Sequence, residues 1–287
     1  MIHRESSFLG AGDLELYRQS WQPDTPGGAA GAPSPGPVRG GVILVHGLGD
    51  HSGLYEPLVE SLVSHGRAVH AFDLRGNGRS PGRRGHVHRW SDYRGDLGRF
   101  VALVRGEEPD SPLHLLGNSL GGLIVLDYAL AGRDGLAGVV AVAPPLGRVG
   151  VPRALLALGR LVSRVWPSFS LNTGMNISAL AHDPDVVAAV VSDPLFHRRA
   201  SARLSTEIAA AAARVHAGAP RFAVPLLLVH GAADRMVLPE GTRALAASLA
   251  PAAAEYLEYP EGYHALLADQ DRARVFGDIE RWMRAHE

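Results

Sequence analysis

The 287-residue chain contains no cysteine. That excludes disulfides, thiolate nucleophiles and cysteine-bound metal, and it fits a reducing compartment. Lysine is absent too, since all 28 basic residues are arginine. Against 29 acids they leave a formal net charge of −1, so the global balance calls for neither nucleic acid nor an anionic membrane. The densest arginine group (Arg75, Arg79, Arg83, Arg84, Arg89, Arg94, Arg99) is interleaved with glycine, proline and acids and has few aromatics, which reads as a solvated face rather than an RNA-binding one. No apolar run approaches the length of a membrane span. The opening MIHRESSFLGAGDLELYRQS lacks a basic head followed by an apolar stretch, so no signal peptide is expected, and a soluble, cytoplasmic protein is the expectation.

What is present is apolar content, 46% of the chain, enough at this length for one large core or a core with an insertion. Residues 23–40 are rich in Pro, Gly and small residues and predict a long flexible surface loop. Beyond it, short apolar runs such as GVILVHG (41–47), PLHLLGNS (112–119) and LAGVVAVAPP (136–145) alternate with helical patterns at 55–66, 91–106 and 120–132. Buried strands between helices predict a doubly wound α/β fold, a mostly parallel sheet with active groups at the carboxyl ends of its strands. The rhythm breaks after Pro145 and resumes at VPLLLVHG (224–231), followed by helix 239–249, strand 254–259 and helix 271–286. The expected division is therefore core 1–145, an inserted helical cap without strands 146–222, and core 223–287.

Two Gly-x-Ser-x-Gly matches occur, at 117–121 and 78–82. The first sits where an apolar run ends and a helical pattern begins at once. A strand–turn–helix setting of that kind lifts a serine hydroxyl to the apex of a sharp turn. Ser80 follows Asp73-Leu74-Arg75-Gly76-Asn77 and precedes Pro81, which predicts a solvated loop hydroxyl. Ser119 is thus the candidate nucleophile. A serine needs a base, and the base needs an acid; in such a core both should follow later strands in the order Ser, acid, His. Asp234 in LLLVHGAADRMVLP and His264 in EYLEYPEGYHALL meet that requirement. The backbone N–H of Leu120, directly after the serine, and that of Leu48, in the loop after GVILVHG, are the expected oxyanion donors. His46 is expected to brace that loop. The pair His86/His88 lacks a third ligand nearby, and no metal is expected there.

These segments together resemble the monoacylglycerol lipase and lysophospholipase branch of the α/β-hydrolase superfamily: HGLGDHSGLYEPLVESL, DLRGNGRSPGRRGHV, GNSLGG, AHDPDVVAAVVSDPL, HGAADRMV and GYHALL. The resemblance implies an α/β-hydrolase fold, hydrolysis of glycerol esters without a metal or organic cofactor, catalytic Ser119, Asp234 and His264, and a mobile helical cap over an apolar acyl channel. The chain departs from the pattern at Leu54, where some members carry a basic residue, and at Leu267, where some carry a polar one. A small lipid ester is the expected partner, with transient contact between cap and membrane or micelle. Leu155, Leu158, Leu161, Val162, Val165, Trp166 and Phe169 recur near helical spacing and are candidates for the channel. Asp50 and Asp193 are candidates for accepting hydrogen bonds from glycerol hydroxyls. The alternatives are a lysophospholipase or general carboxylesterase, and an iminopeptidase or amidase of the same fold with Asp183, Asp185 and Asp193 holding a free amine. A non-catalytic scaffold is disfavoured because all three triad residue types are in place.

Overall fold

Each central strand of the sheet is apolar on both sides, and the period-2 alternation of side chains divides those residues between two cores. In the computed structural model, β3 (Gly40–Val45) turns Val42 and Leu44 to one face and Ile43 and Val45 to the other. In β9 (Leu226–Gly231) the same division sets Leu227 and Val229 against Leu226 and Leu228. The structure describes residues 1–24, 39–132, 135–147, 159, 161–174 and 176–287. Most of the loop expected at 23–40 lies outside these residues, as do Leu155 and Leu158.

Eight strands form the main sheet. β1 (Ile2–Leu9) and β2 (Glu15–Gln22) make an antiparallel hairpin, and β2 pairs antiparallel with β4 (Arg67–Phe72). From β4 onward the sheet is parallel, through β3, β5 (Leu113–Asn118), β6 (Gly138–Val142) and β9 to β10 (Ala254–Tyr259). Helices α1 (Glu56–Ser64) and α7 (Arg272–Ala285) cover one face, with Leu58, Val59, Leu62, Phe276, Ile279 and Met283 buried against the sheet. Helices α2 (Trp90–Glu107) and α3 (Leu120–Ala131) cover the other. Helix α3 is apolar nearly all round, as its central place demands, and its buried Asp127 is satisfied by Trp90 Nε1–H at 2.7 Å and Arg214 Nε–H at 3.0 Å.

Between β6 and β9 the chain adds β7 (Ser170–Asn172), α4 (Pro184–Ser192), β8 (Arg199–Ser201) and α5 (Ala202–Gly218). Strands β7 and β8 pair antiparallel, a two-stranded ribbon where only helices were expected, and too short for a hydrophobic pattern to reveal. Helix α5 buries Leu204, Ala211 and Val215 in the same core as α2 and α3, and α6 (Glu240–Ser248), after β9, adds Leu245 to it. Of the arginine group, Arg79, Arg83, Arg89 and Arg99 are exposed, as a solvated face requires, and several of the seven are held by acids. Arg75 is tied to the buried Asp96 at 2.6 Å, and Arg79, Arg94 and Arg99 pair with Glu5, Asp127 and Asp13.

The register holds the ends of the parallel strands level. Val45 pairs with Gly117, Asn118 with Val142, Val142 with Val229, and Tyr259 with Gly231. Whatever follows each strand is delivered to the same edge. Helix α3 reaches that edge so closely that a Cβ on Gly121 would lie 2.0 Å from the carbonyl oxygen of Val45. The obstacle is backbone, which cannot swing aside, so Gly121→Ala should cost at least ~1–3 kcal/mol. Gly106 is exposed in α2, and a Cβ added there would meet nothing within 4 Å. It should respond with the opposite sign, Gly106→Ala stabilising by about 0.5–1 kcal/mol. Chemical denaturation of both variants checks the contrast.

Candidate active site

Ser119 stands between β5 and α3 with φ 52° and ψ −116°, a conformation that costs a non-glycine residue ~1–3 kcal/mol and persists only when its surroundings enforce it. They do. Its N–H donates to the carbonyl of Val142 at 2.8 Å, fastening the turn to the end of β6, and its carbonyl accepts the N–H of Leu123 at 3.2 Å. A Cβ on Gly117 would sit 2.3 Å from the carbonyl oxygen of Gly121, so the turn closes on itself without side chains. The hydroxyl is left standing outward, half-buried, at the N-terminus of α3.

The loops after β9 and β10 bring Asp234 and His264 to that hydroxyl. His264 Nε2 lies 3.0 Å from Ser119 Oγ, and His264 Nδ1 lies 2.7 Å from Asp234 Oδ2. Because the carboxylate only accepts, Nδ1 carries the proton and Nε2 presents its lone pair to the serine O–H. Asp234 Oδ1 in turn accepts the N–H groups of Met236 at 2.8 Å and Val237 at 2.9 Å, which fixes the carboxylate. A second imidazole flanks it: His230 Nε2 lies 3.3 Å from Oδ2, with Nδ1 bonded to Thr242 Oγ1 at 2.8 Å. Burial pushes the Asp234 carboxyl up, but the charge of His264 and the donors from His230, His264 and Val237 outweigh it and hold the carboxyl well below the usual range. Burial pushes the His264 imidazole down. The charge and hydrogen bond of Asp234, aided by Asp50, outweigh that and hold it above the ordinary histidine value.

Opposite lies the loop after β3. His46 accepts the N–H of Leu74 at Nε2 (2.9 Å) and so donates from Nδ1 to the carbonyl of Gly47 (2.8 Å), bracing the turn. Gly47 packs against the serine, since a Cβ on it would lie 3.3 Å from Ser119 Cβ and 2.8 Å from Asp50 Oδ2. The N–H groups of Leu48 and Leu120 have no acceptor among the described residues. Segment 193–199 grips the same loop from above. The N–H of His197 donates to the carbonyl of Gly49 at 3.1 Å, and His51 Nε2 meets Asp193 Oδ2 at 3.0 Å.

The structure separates the remaining candidates. Asp50 lies at the loop and accepts Tyr55 O–H at 2.8 Å, while Asp193 is engaged by His51 and by the N–H of Leu195 at 2.7 Å. Leu161 is 58% exposed and Val162 partly buried; Leu158 is outside the described residues. Ser80 is not solvated. It is buried, donating to the carbonyl of Asp73 at 2.6 Å and accepting the N–H of Tyr17 at 3.0 Å. His86 is bonded to Ser201 Oγ at 2.9 Å. Leu54 and Leu267 pack against the α1/α7 core. A cavity of about 340 Å³ opens beside the Asp234 and His264 loops, lined by Asn176, Ser178, Arg235, Met236 and Tyr263. Sequence reasoning missed His230 and Tyr55. His230 was visible as the histidine ending an otherwise apolar strand, four residues before the acid.

Comparison with known proteins agrees with this architecture. The family model described as serine aminopeptidase, S33, matches residues 36–271. A monoacylglycerol lipase of Mycolicibacterium smegmatis is 30% identical over 287 residues, spanning 98% of this chain and 97% of the relative. Rat monoglyceride lipase is 29% identical over 284 residues, 96% of this chain and 89% of the relative. Among solved structures, the monoacylglycerol lipase of Paleococcus ferrophilus superposes with a TM-score of 0.84 at 34% identity, covering 96% of this chain and all of that one. A soluble variant of monoglyceride lipase from Saccharomyces cerevisiae, at 23% identity, shares the fold with a TM-score of 0.87 over 100% of this chain and 96% of its own. Among the described residues no helix is long and apolar enough to cross a membrane. With its level strand ends, its strained serine and these relatives, the chain belongs to the serine aminopeptidase S33 family, within the monoacylglycerol lipase branch of the α/β-hydrolase superfamily.

Proposed function

We propose that the protein hydrolyses carboxylic esters carrying a single acyl chain, monoacylglycerols above all, through an acyl-enzyme on Ser119. The observation that carries this reading is the contact of Ser119 Oγ with His264 Nε2 at 3.0 Å, and of His264 Nδ1 with Asp234 at 2.7 Å, at a serine held in a left-handed turn. His264 takes the serine proton as Oγ attacks the ester carbonyl, and Asp234 stabilises the imidazolium that forms. The N–H groups of Leu48 and Leu120 receive the oxyanion, helped by the positive end of α3. His264 then protonates the leaving alcohol and activates the water that frees the fatty acid.

The lipid character of the substrate is supported by two things, the names of the relatives and the surface of segment 161–171. There Leu161, Val165, Trp166 and Leu171 are each more than half exposed. An apolar exposed surface of this kind on the inserted cap favours transient contact with a membrane or micelle from which one acyl chain is drawn. Two of the three carboxylates that the peptidase reading calls on are engaged within the protein, and the third, Asp185, is exposed. Asp183 caps α4 by accepting the N–H of Asp185, and Asp193 is held by His51 and Leu195.

Replacing Ser119 with alanine should lower the rate on p-nitrophenyl butyrate and on monooleoylglycerol by on the order of 10⁶ while leaving the fold intact. Full activity of that variant would remove the reading. Turnover of monooleoylglycerol should exceed that of trioleoylglycerol at matched interface, because extra chains left in water cost ~0.8 kcal/mol per exposed CH₂. Equal turnover, or a preference for aminoacyl amides, would overturn the substrate assignment. Val165→Glu should slow hydrolysis of micellar monooleoylglycerol and spare the soluble butyrate ester. The base must be neutral to accept a proton, and its pKa is raised, so activity should be lost as pH falls through a midpoint above 6.5. In Asp234→Asn the opposing burial prevails, so the kcat/KM midpoint should move down, with a loss of about 10⁴-fold in kcat.

A further inference from the structure

Tyr55 is buried at the end of the loop that follows β3, and its hydroxyl makes three hydrogen bonds. It accepts the N–H of Gly47 at 3.2 Å, accepts Asn118 Nδ2 at 2.9 Å and donates to Asp50 Oδ2 at 2.8 Å. One donor and two lone pairs are all a phenol has, so its capacity is filled. The partners come from different parts of the chain. Gly47 immediately precedes Leu48, Asn118 immediately precedes Ser119, and Asp50 lies beside Gly47 on the loop that faces His264. The direction of the bonds is also determined. The single phenolic proton goes to Asp50, so Asn118 must turn its NH₂ toward Tyr55, and its Oδ1 is left buried without a partner among the described residues. Leaving a buried acceptor unmade is a cost the structure accepts in order to keep this junction.

We infer that Tyr55 is a positioning residue for the hydrolysis: through one hydroxyl it locks the loop bearing the Leu48 N–H to the turn bearing Ser119, and so sets the distance between oxyanion donor and nucleophile. Neither half fixes that distance by itself. The Leu48 N–H belongs to a four-residue stretch between β3 and Asp50, and the serine turn is hydrogen-bonded to β6 and packed against the end of β3. Strand pairing between β3 and β5 ends at Val45 and Gly117, two residues short of Gly47 and of Ser119 alike. Tyr55 spans the gap just past the last pair. Its phenol keeps its proton throughout catalysis, since burial and the neighbouring Asp50 hold its pKa well above the ordinary value. It therefore takes no part in proton transfer, and its influence is geometric. Oxyanion stabilisation depends steeply on donor placement, so loosening the junction should act on the transition state and spare the ground state.

The inference rests on Ser119 being the nucleophile, and Ser119→Ala tests that separately. Tyr55→Phe removes one oxygen and keeps the buried ring. With p-nitrophenyl butyrate, kcat should fall about 10- to 100-fold while KM stays within about twofold. Inhibition by an alkyl boronic acid, whose tetrahedral adduct carries the oxyanion, should weaken by the same factor as kcat/KM. Binding of an uncleavable ether analogue of monoacylglycerol should not change. Asn118→Ala removes one arm of the junction and gives a second route if Tyr55→Phe folds poorly. Because the two act as one unit, the double variant should be no slower than the slower single variant. Wild-type kcat and boronate affinity in folded Tyr55→Phe, a loss confined to KM, or fully multiplicative losses in the double variant would each overturn the inference, even with Ser119→Ala inactive.

Discussion

The backbone approach at Gly121 is the constraint on which the site depends. The first turn of α3 lies against the carbonyl of Val45, and the turn before it folds over Gly117, so three main-chain segments occupy space that any side chain would fill. Their proximity forces Ser119 into its left-handed conformation and aims the N-terminus of α3 at the space above the serine. The loop after β3 then closes on the same point, with Gly47 against the serine Cβ. Strain of this kind is tolerable because the surrounding sheet is buried on both faces and cannot relax around it.

Charge is arranged with similar economy. Among the described residues Asp234 is the one carboxylate bonded to His264, and two backbone N–H groups and a second imidazole share its other contacts. Such a carboxylate stays ionised in a buried site, and an ionised partner keeps a buried imidazole basic enough to serve. Asp50 adds to the same field from the opposite loop, where Tyr55 rather than a cation holds it. Histidines elsewhere do quite different work. His46 and His197 are both pushed below the ordinary imidazole value, first of all by burial, which suits them to act as neutral hydrogen-bonding struts.

The parallel core was legible because its strands are short, uniformly apolar and separated by helical periods, and strands β9 and β10 fell within a residue or two of expectation. Ser119, Asp234 and His264 were legible because each follows such a strand, which is a positional rule and needs no three-dimensional information. The ribbon of β7 and β8 was not, since three residues are too few to show alternation and their pairing is between segments 27 residues or more apart. Helix α5 was read with the cap because its apolar stripe reveals a buried face without saying against what. Ser80 looked solvated from its Gly, Pro and Arg neighbours, yet its hydroxyl closes a buried junction between β2 and the Asp73 turn. Hydrogen-bonded junctions of this sort, Tyr55 included, join residues whose sequence context is unremarkable, and only the folded chain brings them together.

Ser119 and His264, the proposed nucleophile and base, lie 145 positions apart, and His264 follows β10, the last of the sheet's described strands in chain order. During synthesis, therefore, the serine turn and the loop after β3 are made well before His264. On the proposed mechanism a nascent chain would lack its base until β10 has docked beside β9. On that mechanism catalytic competence would arrive in a single late event and report the completion of the sheet, whereas burial or helicity would rise gradually as earlier segments collapse.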